Sequence, residues 1–149
     1  MKISKLKTSF LIIQNWDGFA SQLAVKDEFL NCFTENEHFE ILLLTNRKRP
    51  KENFEFAGRV HTISKSDFSL FGKLKSKNLL PSEHTHFDYI LLLDDDFSAL
   101  KKIIQQMKIK NIVGFQSQQN YVNINLNTSV TKPTEKIIFA LQTLSKFVI

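Results

Sequence analysis

Apolar side chains fall along this chain in two kinds of pattern. Short, nearly continuous apolar runs occupy residues 9–15, 39–45 and 87–93, each too short for a helix and each closed by polar or turn-forming residues. Such runs suit strands covered on both faces, as in a parallel sheet. Residues 59–64 and 111–115 supply two further short strands. Between 121 and 126 the pattern becomes strict alternation, with Val122, Ile124 and Leu126 on one side and Tyr121, Asn123 and Asn125 on the other. That predicts an edge or half-solvated strand.

Helical spacing appears between these runs. Phe19, Leu23, Leu30 and Phe33 predict an amphipathic helix over 19–33, with Asp17 as its N-cap. Leu100, Ile103, Ile104 and Met107 keep the i, i+3, i+4, i+7 spacing of a second helix. A last helix starts at Thr134, behind Pro133, with Ile137, Leu141, Leu144 and Val148 inward. Residues 65–86 carry Gly72 and Pro81 and predict at most one short helix, near Asp67. Strands alternating with helices imply right-handed crossovers and a parallel sheet. The expected fold class is α/β: a three-layer Rossmann-like sandwich with a mainly parallel sheet of order 3-2-1-4-5 and a sixth edge strand, one domain over residues 1–149.

Composition narrows the class without naming an activity. At 149 residues the chain can bury a core without staples, and 42% hydrophobic with 23% charged residues is ordinary for a globular domain. Disordered, fibrous and disulfide-framework classes are therefore excluded. Cys32, the sole cysteine, cannot form an intramolecular disulfide and lies in an apolar helical stretch, as a small buried hydrophobe would. No apolar run approaches the ~18–20 residues that span a bilayer and no signal peptide opens the chain, so a cytoplasmic protein is expected. Lys+Arg exceed Asp+Glu by 20 to 15, a net charge of +5 that favours anionic partners.

In a sheet of this order, ligands gather beyond the carboxyl ends of the first and fourth strands, where the strand order reverses. The candidates there are Asn15, Trp16, Asp17, Gly18, Asp94, Asp95, Asp96 and Ser98. A dinucleotide needs a glycine-rich turn at a helix N-terminus, and this turn offers one glycine beside a carboxylate. Three carboxylates follow the fourth strand, and no GxxxxGK[ST] segment occurs, so neither NAD nor ATP is expected. Strand alternation puts Asp94 and Asp96 on one side and Asp95 on the other. An Asp-x-Asp pair could hold Mg²⁺ or Mn²⁺ through hard oxygen ligands. The plainer reading is that one Asp caps the next helix and the others favour its positive end, worth ~0.3–1 kcal/mol each. Glu83, His84 and His86 stand at the start of the fourth strand, over about 20 Å from the aspartates, and cannot share an ion with them. His38 and His61 show no partner in the sequence, and no Gly-x-Ser-x-Gly elbow or Ser/His/acid set can be assigned.

Basic segments are the stronger candidates for binding. Arg47, Lys48, Arg49 and Lys51 follow the second strand, while Lys73, Lys75 and Lys77 form a second cluster and Lys2, Lys5 and Lys7 a third. Such loops can neutralise RNA phosphates, and equally they keep an apolar chain soluble. No RRM, KH or zinc-knuckle pattern is present, so base-specific readout is not indicated. Trp16, Phe68 and Phe71 stand in loop-like segments and could anchor an interface, or simply pack.

Residues 67–73 (Asp-Phe-Ser-Leu-Phe-Gly-Lys), 87–93, 111–115 and 121–126 together resemble a small flavobacterial (Bacteroidota) family catalogued as a domain of unknown function. The likeness runs from Arg59 to the C-terminus and implies one α/β domain behind a basic N-terminal extension. The Phe-Asp strand and the Val-Gly-Phe strand are also distantly similar to the N-terminal half of heptosyltransferase-type folds, whose second half, where most of the nucleotide-sugar binds, has no counterpart here. The resemblance implies a fold and supplies no activity. The expected function is a non-catalytic binding or adaptor module that docks onto a larger protein or ribonucleoprotein assembly, without a cofactor. The rival is a metal-dependent transferase or hydrolase with Asp94 and Asp96 as Mg²⁺ or Mn²⁺ ligands and Asp17 as a base.

Overall fold

A computed structural model describes residues 8–17, 22–46, 60–69, 74, 87–107, 109 and 111–146. Six strands lie in one sheet: β1 (Thr8–Asn15), β2 (Glu37–Thr45), β3 (Val60–Ser64), β4 (Tyr89–Leu92), β5 (Ile112–Phe115) and β6 (Ile124–Leu126). Their order is β3-β2-β1-β4-β5-β6, and every pair is parallel. The expected order is observed, in a sheet that is wholly parallel. The edge strand, however, begins at Ile124 and not at Tyr121. Val122 packs on the opposite face of the core from Ile124 and Leu126 because it still belongs to the loop laid over Gly114. Among the described residues three α-helices, α1 (Gln22–Leu30), α2 (Leu100–Met107) and α3 (Pro133–Ser145), accompany the sheet in an α/β fold.

The nearly continuous apolar runs explain why the sheet is buried on both faces. On β1, Phe10 and Ile12 point to one face, and Leu11 and Ile13 to the other, none more than 3% exposed. The first face packs against α1 and α3 through Val25, Phe29, Ile137, Ala140 and Leu144. The second packs against α2 through Leu100, Ile103 and Ile104. Helices α1 and α2 lie on opposite faces because the crossovers β1-α1-β2 and β4-α2-β5 run in opposite directions from the centre of the sheet. Full burial of a side chain such as Phe29 contributes about 1.5–3 kcal/mol.

The α1 stripe differs from the expected one. Val25 and Phe29, four apart, face the core, while Leu30 is 46% exposed. Once Phe29 is centred on the sheet, the next residue is turned about 100° away. Phe33 packs against the core from beyond the helix, and Phe19 and the side chain of Leu23 lie outside what is described. Cys32 is half-buried, and burial, reinforced by Glu28, pushes its thiol pKa up. In α3 the inward residues are Ile137, Ala140 and Leu144, with Leu141 partly buried and Val148 outside the described residues. The short helix near Asp67 is a 3-10 turn, Lys65–Asp67.

Parallel strands usually need a crossover of a dozen or more residues, yet β5 and β6 are joined by residues 116–123 alone. The strands are short, and the link lies directly on the sheet. Gln116 turns the chain with a left-handed backbone (φ 51°), and Ser117 and Val122 then pack over Gly114. A Cβ on Gly114 would stand 2.9 Å from Ser117 Cβ and from Val122 Cγ1, so only glycine fits beneath this loop.

Candidate functional site

The carboxyl ends of β1 and β4 part where the sheet order reverses. A continued ladder would give the Asn15 amide to the Leu93 carbonyl, since Leu93 N–H still donates to Ile13 O at 2.9 Å. Instead the Asn15 amide donates to Asp94 Oδ2 at 2.8 Å, and the Lys136 ammonium of α3 donates to the Leu93 carbonyl at 3.3 Å. A carboxylate and a lysine take the place of one rung, which opens a crevice between the strands.

The three aspartates divide as strand alternation predicts. Asp94 and Asp96 converge on Asn15, whose side-chain Nδ2 donates to Asp96 Oδ1 at 2.6 Å. Asp95 turns the other way, accepting from Ser117 Oγ at 2.5 Å while its carbonyl accepts from Gln119 Nε2 at 3.1 Å. Asp95 thereby ties the end of β4 to the β5–β6 loop. Burial, with the charge of Asp95 beside it, also pushes the Tyr121 phenol pKa up. Asn15 Oδ1 itself is buried without a hydrogen-bond partner among the described residues, as is Gln14 Oε1.

A cavity of about 310 Å³ opens at this point, lined by Asn15, Trp16, Leu44, Asn46, Lys65, Asp96, Phe97 and Ser98. Leu44 and Phe97 form its buried apolar part. Lys65 reaches it because the 3-10 turn is pinned to the end of β3: the Ser64 amide donates to Asp67 Oδ2 at 2.7 Å, and the Ser66 amide to Ser64 Oγ at 3.3 Å.

The residues singled out in the sequence separate into three sets. Asp94, Asp96, Asn15, Trp16 and Ser98 are brought together, and Asp17 lies exposed two residues beyond the end of β1. Trp16 and Phe68 are half-buried and pack against opposite faces of the core, Trp16 with its amide on Leu44 O at 2.7 Å. Arg47, Lys48, Arg49, Lys51, Phe71, Lys73, Lys75, Lys77 and Gly18, with Glu83, His84 and His86, lie outside the described residues, as do Lys2, Lys5 and Lys7.

Sequence reasoning missed Lys65, Phe97 and Lys136 at the site. Lys136 had a legible signal, a cation one residue from Ile137 on the apolar side of α3, and it also stands 5.5 Å from the Phe115 ring centroid. The two histidines without a visible partner do have one. His61 and His38 meet the buried Glu40 through Nε2, at 2.8 and 3.2 Å. Burial pushes the Glu40 carboxyl up, but the hydrogen bonds and charges of His61 and His38 outweigh it and hold the carboxyl below its usual range. This cluster joins β2 to β3, away from the crevice. Among the described residues no group of three His, Cys, Asp or Glu is arranged to hold a metal ion, and no described helix is long and apolar enough to cross a membrane. Comparison with protein-family models, curated proteins and solved structures finds no match.

Proposed function

We propose that this chain is a non-catalytic Rossmann-like binding module that docks onto a larger, anionic protein or ribonucleoprotein assembly. The observation that carries this reading is the use made of the aspartate triplet. Each of the three carboxylates already accepts a hydrogen bond that holds the ends of β1, β4 and the β5–β6 loop together. Those bonds give each carboxylate a part in supporting the sheet that needs no turnover to account for it. The net charge of +5 and the basic stretch after β2 give the module an electrostatic reason to seek an anionic surface.

Affinity purification from the native cell at low salt, with both protein and RNA identified, tests the proposal. The expected result is an assembly that dissociates as salt rises, because each phosphate neutralised adds to the salt dependence. Reversing Arg47, Lys48, Arg49 and Lys51 to glutamate should abolish capture while leaving the melting temperature unchanged. A chain that runs as a free monomer in low-salt lysate contradicts the reading.

A further inference from the structure

The cavity at the switch point carries an inference independent of docking. Its volume of about 310 Å³ lies at the lower end of the roughly 300–1,000 Å³ that small-molecule sites occupy. That suits one small metabolite, not a dinucleotide. It stands where open α/β sheets bind ligands, beyond the carboxyl ends of strands on either side of the reversal.

The lining contains two unlike charges that do not pair with each other. Lys65 makes no ion pair among the described residues. Asp96 is held by Asn15 through Oδ1 only, which fixes the carboxylate and leaves its second oxygen without a partner among the described residues. Asn15 stays in that pose although its own Oδ1 is buried and finds no partner among the described residues, an unfavourable arrangement in itself. Locally unfavourable groups of this sort gather at functional sites.

Charge balance then selects the ligand. A phosphate would gain Lys65 but meet Asp96, with Asp94 and Asp95 close behind in the chain. A simple cation would gain Asp96 and meet Lys65. A dipolar ion satisfies both. We propose that the cavity binds a free amino acid, its ammonium on Asp96, its carboxylate on Lys65 and Ser98, and its side chain against Leu44 and Phe97.

The test is thermal unfolding and calorimetric titration of the full chain with each common L-amino acid in turn. At least one should raise the melting temperature by a few degrees, since a ligand that binds only the folded state stabilises it. Its N-acetyl derivative and its methyl ester each lack one of the two charges, and each should bind at least about tenfold more weakly. Lys65→Gln and Asp96→Asn alter exposed side chains, so both should fold as the wild type does and lose about tenfold in affinity for the same amino acid. The proposal is overturned if no amino acid shifts the transition, if the N-acetyl derivative binds as well as the free form, or if adenosine or inorganic phosphate stabilises the chain instead.

Discussion

Strands β1 and β4 are fastened to each other by an aspartate at both ends, in two different ways. At the amino end the bonds are reciprocal. Asp88 Oδ2 accepts from the Ser9 amide at 2.9 Å and its hydroxyl at 3.4 Å, while the Asp88 amide returns to Ser9 Oγ and O at 3.2 and 2.9 Å. At the carboxyl end Asp94 takes the Asn15 amide with no reciprocal bond among the described residues, and the Asn15 carboxamide is left half satisfied. Two aspartates of like position and like bond therefore differ in what surrounds them. An acid at a strand end is first of all an acceptor for an amide that the ladder no longer serves. At the carboxyl end a cavity and, among the described residues, an unpaired polar atom accompany that acceptor.

The comparison breaks most visibly when both fastenings are removed. Each alanine leaves a partly buried amide without its acceptor, at about 1–3 kcal/mol. The two ends are about 20 Å apart along β4, so the losses should add. Asp88→Ala with Asp94→Ala is expected to cost about 2–6 kcal/mol in urea unfolding, with Asp88→Ala the larger share because it serves two donors of Ser9. A double variant no less stable than either single one would show that the two ends do not act separately.

Gly114→Ala sharpens the same comparison on the far side of β4. It forces Ser117 and Val122 off the sheet, and Ser117 is the residue that holds Asp95. A loss of about 1–3 kcal/mol is expected, together with exchange broadening at Asp95 in nuclear magnetic resonance spectra. Unchanged stability would mean that the loop does not rest on Gly114.

The smallest effect lies away from the seam. Glu40 has a lowered pKa in the folded chain, so the unfolded chain takes up its proton first as pH falls. Its contribution is complete above the usual glutamate range and disappears as pH drops through the lowered value. Glu40→Gln should flatten the stability profile relative to wild type as pH falls below the usual glutamate range of about 4.3, and leave it unchanged above. Parallel profiles for the two proteins would remove Glu40 from the account.

Much of this arrangement was legible along the chain. Nearly continuous apolar runs such as residues 87–93 mark strands buried on both faces, and alternation alone separates Asp95 from Asp94 and Asp96. What stayed hidden depends on pairing between distant segments. Glu40 meets His61 only because β2 and β3 are in register with Leu42 opposite His61, and no local pattern encodes that alignment. Lys65 belongs to the crevice only because a capped turn ends β3 beside β2. The phase of α1 escaped because Val25 and Phe29 form a narrow stripe among charged neighbours, and exposed Leu30 mimics a core position.

The role of Asp94 is tested most directly by melting temperatures of the wild type, Asp94→Asn and Asp94→Ala, each with and without Mn²⁺. Asparagine keeps an acceptor for the Asn15 amide, so Asp94→Asn should melt near the wild type, while Asp94→Ala falls by about 3–10 °C and Mn²⁺ shifts none of them. A wild-type chain that gains several degrees from Mn²⁺, and an asparagine variant that loses that gain, would make Asp94 a metal ligand and contradict the account.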